Sequence, residues 1–249
     1  MSDSTIKINA IVIRSAQSGE NDRILTLLSP EIGRLSVIAK GVRSLKHQHR
    51  SSTVVLSYSA FVLKKLREGF YSLVSAELKE GFRGLSDDIE LLSYGAYFSS
   101  LCEMCVQEGM GADSEVRLLL NSLHMLRSRK AAAPLIKCVF ELKLCECCGI
   151  LPEFSEECPC GEAASFFCVS DGEMRCTLHK TEDCVKLTSG MLKLADYITQ
   201  NSLKDAFYTS FIPDDAFGLW RVTEPFLEYH LGKLPKSLPY LHDILRKMQ

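Results

Sequence analysis

Ile6-Lys7-Ile8-Asn9-Ala10-Ile11-Val12-Ile13-Arg14 opens the chain with alternating character, placing Ile6, Ile8, Ala10 and Val12 on one face. A period of two is the signature of a strand with one buried side. Working outward, four more such runs follow. Arg23 to Leu28 comes after the turn-like Ser18-Gly19-Glu20-Asn21, and Gly33 to Ala39 after Pro30-Glu31-Ile32-Gly33, with turn residues in suitable places. Thr53 to Leu66 puts Val54, Leu56, Tyr58, Ala60 and Val62 on one side and Phe61, Leu63 and Lys65 on the other, and Phe70 to Leu78 follows Glu68-Gly69. Five short strands in succession leave exposed edges unless the sheet closes, and a small barrel is the usual remedy. The linker from Gly41 to Ser52 is too polar and basic for a core.

From Asp87 the period becomes helical. Leu91, Tyr94, Phe98, Leu101 and Cys105 form one stripe, and a second helix starting at Asp113 or Ser114 buries Val116, Leu119, Leu120, Leu123 and Leu126. Pro134 suits the first turn of a third helix running towards Gly149. These three are expected to form a bundle. Thr188 to Tyr197, Leu219 to Leu231 and Leu238 to Met248 read as further helices, while the segment at about 150–185 is rich in cysteine and poor in helical period. The expected class is therefore α+β: a five-stranded barrel over residues 1–82, then an all-α domain over residues 83–249 carrying a cysteine hairpin.

The chain has 249 residues, enough for two domains, and its 46% hydrophobic and 24% charged residues are ordinary globular composition. No apolar run approaches the roughly 18 to 20 residues that span a bilayer, and Met1 to Asn9 lacks the basic start and apolar middle of a signal peptide. A cytoplasmic location with no membrane partner is expected. In that reducing setting the eleven cysteines read as buried small hydrophobes or metal ligands.

The overall charge of -2 hides an asymmetry. Residues 1–80 hold 12 Lys or Arg against 7 Asp or Glu, a charge of +5, and the remainder holds 17 against 24, a charge of -7. Between Ile32 and Arg67 stand eight basic residues, two histidines and no acid. A surface of one sign concentrates a polyanion. The competing reading is an ordinary solvated face. If the barrel binds a single strand, Arg14, Arg34, Lys40, Arg43, Lys46, Arg50, Lys64, Lys65 and Arg67 can track phosphates, while Tyr58, Phe61, Phe70 and Tyr71 can stack on bases unless they are core.

Cys158-Pro159-Cys160-Gly161 and Cys176-Thr177-Leu178-His179 are separated so that two tight turns at the ends of a hairpin offer four ligands, the requirement of a structural tetrahedral zinc. The single residue between Cys158 and Cys160 is tighter than the usual gap, and a metal-free hairpin is the alternative. Cys168 or Cys184 can replace one ligand, although Cys168 sits in the strand-like Phe166-Phe167-Cys168-Val169. Cys102, Cys105, Cys138, Cys145, Cys147 and Cys148 lie in helical stripes and read as core. No histidine-x-glutamate precedes Cys158, no metalloprotease helix motif, phosphate loop or dinucleotide fingerprint occurs, and His230 has no nucleophile or carboxylate by spacing. No catalytic constellation is found, so the reading is not an enzyme.

The stretches Gly19-Glu20-Asn21-Asp22-Arg23-Ile24-Leu25-Thr26-Leu27, Gly33 to Arg43 and Ser75-Ala76-Glu77-Leu78 resemble the barrel of the RecO family of recombination mediators. Phe140-Glu141-Leu142-Lys143-Leu144, the cysteine hairpin and Phe226-Leu227-Glu228-Tyr229-His230-Leu231-Gly232 with Lys236-Ser237 are similar to its helical domain, so the match runs in order over nearly the whole chain. The resemblance implies an oligonucleotide-binding barrel and, often, a four-ligand zinc hairpin. It implies binding of single- and double-stranded DNA, annealing of complementary strands, and work with RecR and single-stranded DNA-binding protein to help load RecA, in a bacterial cytoplasm and at the nucleoid during repair. Carried over residue by residue, Arg23, Arg34, Lys40 and Arg43 fall in the family's basic motifs as contacts to DNA or RecR, and the metal positions fall on Cys158, Cys160, Cys176 and His179. The one-residue cysteine gap and the final histidine depart from the family's commoner pattern. The rival class is a protein-interaction module with a structural zinc hairpin, its cations serving an acidic protein surface.

Overall fold

The computed structural model describes residues 5–67 and 70–248; the side chain of Arg67 lies outside the described residues, although its backbone ends a strand. Strands β1 (Thr5–Ser18), β2 (Asp22–Ser29), β3 (Gly33–Ala39), β4 (Tyr58–Arg67) and β5 (Phe70–Glu80) close into a barrel in the order β1-β2-β3-β5-β4. Every pairing is antiparallel except β3 with β5. This is the oligonucleotide-binding arrangement. Its interior is filled by alternate residues, Ile8, Ala10 and Val12 of β1, Leu25 and Leu27 of β2, Leu35, Val37 and Ala39 of β3, Phe61 and Leu63 of β4, and Tyr71 of β5.

β4 begins at Tyr58, five residues later than the alternation predicts. The cause is local. Ser51–Thr53 is a 3-10 turn, Leu56 has a left-handed φ of 68°, and the Ser57 hydroxyl donates to the carbonyls of Ser52 and Val54 at 3.0 and 2.7 Å. Those side-chain bonds offer the backbone an alternative to a ladder.

The helices are α1 (Ile89–Cys105), α2 (Asp113–Ser128), α3 (Ala133–Cys147), α4 (Ser189–Gln200), α5 (Leu203–Ala206), α6 (Pro213–Leu231) and α7 (Ser237–Met248). Asp88 caps α1 by accepting from the N–H groups of Glu90 and Leu91, and Thr188 caps α4 by accepting from that of Met191. The expected stripe of α1 is buried at Leu91, Tyr94, Phe98 and Leu101. α3 is buried without interruption from Leu135 to Cys145, which makes it a core helix with no solvent side along that run. The helices are not partnered in sequence order as a bundle of the first three: α1 lies chiefly along α7, and α3 along α6 and α4.

By compactness the chain divides into residues 1–123 with 237–249, and residues 124–236. The first unit holds the barrel, α1 and α7. The second holds α3 to α6 and a small sheet of β6 (Phe166–Cys168), β7 (Glu173–Arg175) and β8 (Cys184–Lys186), ordered β7-β6-β8. The core of this second unit contains a charged cluster. Lys137, fully buried, lies 2.7 Å from carboxylate oxygens of both Glu141 and Glu224 and 4.3 Å from the centre of the Trp220 ring.

Candidate nucleic-acid interface and metal centre

Because Leu35, Val37 and Ala39 point inward, Arg34, Ser36 and Ile38 follow one another on the outside of β3, and Lys40 is the exposed residue just past its end. At about 3.3 Å per residue the row from Arg34 to Ile38 is roughly 13 Å long. Strand register extends it sideways. Arg14 stands beside Thr26 and Thr26 beside Ser36, while Ala16, Ile24, Ile38, Ser72 and Lys64 form a second cross-strand row. Ile24 is exposed and Ile38 half-buried, so Arg14 and Arg34 border an apolar strip on the outer face of β1, β2 and β3, while Lys64 stands on β4, further round the closed barrel. That combination, cations around flat apolar area, suits a single strand whose phosphates need counter-charge and whose bases need a surface.

The cations differ in how they are held. Arg34 donates to the Glu103 carbonyl at 2.9 Å, in the last turn of α1, where backbone acceptors lack helical partners. Arg14 lies 3.0 Å from the Glu103 carboxylate and also donates to Thr26 at 3.4 Å. Arg43 donates to the carbonyls of Glu20 and Gly19 at 2.6 and 3.4 Å, fastening the segment after β3 to the β1–β2 turn. Arg23 shares the inward parity of Leu25 and Leu27 and donates to Ser15 at 3.4 Å, so it is not on the outer row. Lys40, Lys46, Arg50 and Lys65 are exposed, and among the described residues no carboxylate pairs with them. Lys46 and Arg50 ride on the linker, where His49 Nδ1 meets the backbone of Ala76, 2.9 Å from its carbonyl oxygen, and sets the basic loop against β5. Of the four aromatics, Phe61 and Tyr71 belong to the barrel core, whereas Tyr58 and Phe70 are half-buried.

The cysteine hairpin brings its four expected residues together. Sγ of Cys160 and Cys176 are 3.8 Å apart, and Nδ1 of His179 is 3.4 Å from Sγ of Cys176 and 3.8 Å from Sγ of Cys158. All four ligand atoms lie within 4.8 Å of one another. Tetrahedral zinc, with bonds of about 2.3 Å to sulfur and 2.05 Å to nitrogen, sets edges of about 3.8 Å between sulfurs and about 3.6 Å between sulfur and nitrogen. The donor set fits such an ion. The tight Cys158-x-Cys160 gap is closed by a turn in which the Gly161 N–H reaches the Cys158 carbonyl at 2.8 Å, with φ of Gly161 at +88°, a conformation glycine adopts freely. The N–H of Cys160 points at Sγ of Cys158 and, opposed by partial burial but helped by the N–H of Cys176 and the side chains of Cys160 and His179, holds that thiol down at about 6. A ready thiolate is what a metal needs.

Cys168 and Cys184 do not join this cluster. They face one another across β6 and β8 with their sulfurs brought together as a pair of their own. β8 was not legible in the sequence because it is three residues long. Cys102, Cys138 and Cys145 are buried as expected, and burial pushes the thiols of Cys138 and Cys145 far up. Cys105, Cys147 and Cys148 are only partly buried. His230 is exposed and rests edge-on against Phe226 at 4.4 Å between ring centres.

A closed five-stranded oligonucleotide-binding barrel, a helical part and a four-ligand cysteine hairpin together define a two-part protein of the nucleic-acid-handling class. The family described as Recombination protein O N terminal matches residues 1–82, and that described as Recombination protein O C terminal matches residues 86–239. The chain belongs to the recombination protein O family. It is similar to DNA repair protein RecO of Acetivibrio thermocellus, 28% identical over 97% of this chain and 98% of the relative, and to that of Alkaliphilus metalliredigens, 30% identical over 92% and 95%. The protein of the same name from Heliobacterium modesticaldum is 36% identical over 63% of this chain and 56% of its own length. No helix among the described residues is long and apolar enough to cross a membrane.

Proposed function

We propose that this chain is a non-catalytic DNA-repair protein that holds DNA, single- and double-stranded, on the outer face of β1, β2 and β3 and anneals complementary strands there. The observation that carries the reading is the outer row of Arg34, Ser36 and Ile38 on β3, with Lys40 just past its end and Arg14 beside it across β2, in a family whose members are named DNA repair proteins. Exposed cations at Lys40, Lys46, Arg50 and Lys65 screen phosphates, and Ile24, Ile38 and Phe70 receive bases. With repulsion between two strands screened, complementary bases pair on the protein. The acidic remainder of the chain serves as the platform for RecR and for single-stranded DNA-binding protein, and the cleared strand passes to RecA. The setting is the bacterial cytoplasm, with attachment to the nucleoid through DNA.

Zinc is the metal we assign to Cys158, Cys160, Cys176 and His179. When bound it supplies a covalent-strength crosslink and no reaction chemistry, because all four tetrahedral positions are taken by the protein. The residues themselves shape two turns that aim their donors at one point.

Binding of a random-sequence oligonucleotide, followed by fluorescence anisotropy over a salt series, tests the reading. A steep fall of affinity with salt is expected, and changing Lys40, Lys46 and Lys65 to Glu lowers the slope by at least about 0.7 per lost single-strand contact. The same variant, folded, anneals complementary oligonucleotides more slowly. Salt-independent binding, or undiminished annealing, would instead favour the protein-interaction module.

A further inference from the structure

Two arginines of the barrel face meet one residue at the end of α1. Arg34 holds the backbone carbonyl of Glu103 at 2.9 Å, and its own N–H donates to the Gln107 carbonyl at 3.3 Å. Arg14 faces the Glu103 carboxylate at 3.0 Å. The two contacts differ in kind. The Arg34 guanidinium caps a helix and is half-buried, whereas the Arg14 side chain is 64% exposed while paired with a carboxylate that is 24% exposed. An ion pair this open to water adds little to folding, since screening and side-chain entropy offset its attraction. Its position carries more meaning. Arg14 sits on the border between the end of the outer face that Ile11, Ile13 and Leu28 bury and the end where Ala16, Ile24 and Lys40 meet solvent.

We infer that Glu103 is an internal stand-in for phosphate: its carboxylate occupies Arg14 until a DNA phosphate displaces it, and so sets how tightly the barrel face holds a strand. This rests on the barrel face being the DNA site. The physical case is competition for one guanidinium. A carboxylate already in place removes most of the gain that an arriving phosphate makes there, and it re-forms its pair when the strand leaves. A surface that anneals strands has to release the product, and a built-in competitor limits affinity without removing the cation that guides the strand in. Arg34 has no such role, because its partner is a carbonyl that persists whatever the side chain at 103.

Glu103→Gln removes the charge and keeps both the side-chain size and the backbone carbonyl that Arg34 caps. Anisotropy of labelled oligothymidylate over a salt series, with the native chain, E103Q, R14Q and the double variant, reads the effect. E103Q is expected to bind roughly two- to fivefold more tightly, the factor that corresponds to an exposed ion pair. Its salt slope stays near the native value, because displacement of the carboxylate leaves the number of phosphate contacts in the complex unchanged. In the R14Q background the change at 103 loses that effect, and the unfolding midpoint of E103Q stays near the native value. Native-like affinity in E103Q, or an equal effect of E103Q with and without Arg14, would overturn the inference while leaving the barrel as the DNA site. A native chain whose binding ignores salt would remove the barrel reading itself.

Discussion

Gly33 sits where the β2–β3 turn meets the loop that follows α1. Its φ is +75°, and a Cβ there would collide with the carbonyl oxygens of Met110 and Gln107. The close approach is fixed from both sides, since the Arg34 N–H donates to Gln107 and the Ala112 N–H donates to Pro30 at 2.8 Å. Gly33→Ala combines a left-handed backbone with a backbone collision, so it is expected to cost at least about 2 kcal/mol, read as a lower urea midpoint. Lys137 is the opposite case, a polar residue at the centre of the second unit. Burial alone lowers its affinity for a proton, but Glu141 and Glu224 together outweigh that and leave its pKa raised. Lys137→Met removes the cation that lies between these two carboxylates and is expected to destabilise by about 3 to 5 kcal/mol. The sign in pH follows from the raised value: the ammonium's contribution is complete below the ordinary lysine value of 10.5 and fades as pH rises through the higher folded value. Native and Lys137→Met stabilities, measured by urea unfolding, should therefore converge only in strongly alkaline solution. The sequence carries a trace of this cluster, Lys137 and Glu141 one helical turn apart in an apolar run, yet the third member, Glu224, is 83 positions from Glu141 and invisible to spacing.

At the scale of elements, alternation revealed the barrel because one face of each strand is buried, which makes register and burial the same pattern. It misled at Thr53 to Ser57, where alternating hydrophobicity continues through a turn held by serine hydroxyls. The start of α6 was missed by six residues although Pro213-Asp214-Asp215 is a proper first turn, because Leu219 is where the apolar stripe begins. The arginines show the limit for sites. Composition groups Arg34 and Arg43 with Lys40 and Lys46, while the structure makes the first two fasteners of backbone and leaves the lysines open. The cysteine hairpin was legible from spacing alone, and its sheet is too small to stand by itself: β6, β7 and β8 have three residues each. Such an element depends on its crosslinks. Elemental analysis is expected to find one zinc per chain in the native protein and far less in Cys158→Ser. Chelation should raise hydrogen exchange across residues 154–186 and leave the barrel strands protected; protection of the hairpin unchanged by chelation would mean the metal does not hold it.

At the scale of the whole molecule, the net charge of -2 and pI near 6.3 would by themselves argue against affinity for a polyanion. The split of +5 over residues 1–80 and -7 over the rest makes affinity a question of range. At about 0.1 M salt the Debye length is roughly 10 Å, so a bound strand feels chiefly the charges within that distance of it. At about 0.01 M it lengthens to roughly 30 Å, comparable with a domain, and the acidic excess then opposes the same strand. Counterion release alone predicts a straight line of log affinity against log salt. For this chain the line is expected to be steep near physiological salt and to flatten as salt is lowered, because the growing reach of the acids offsets the gain from weaker competition. Anisotropy with a short oligonucleotide across that range checks it. A line that stays straight to the lowest salt would show that the acids exert no long-range opposition and that the front half's cations act as an isolated patch.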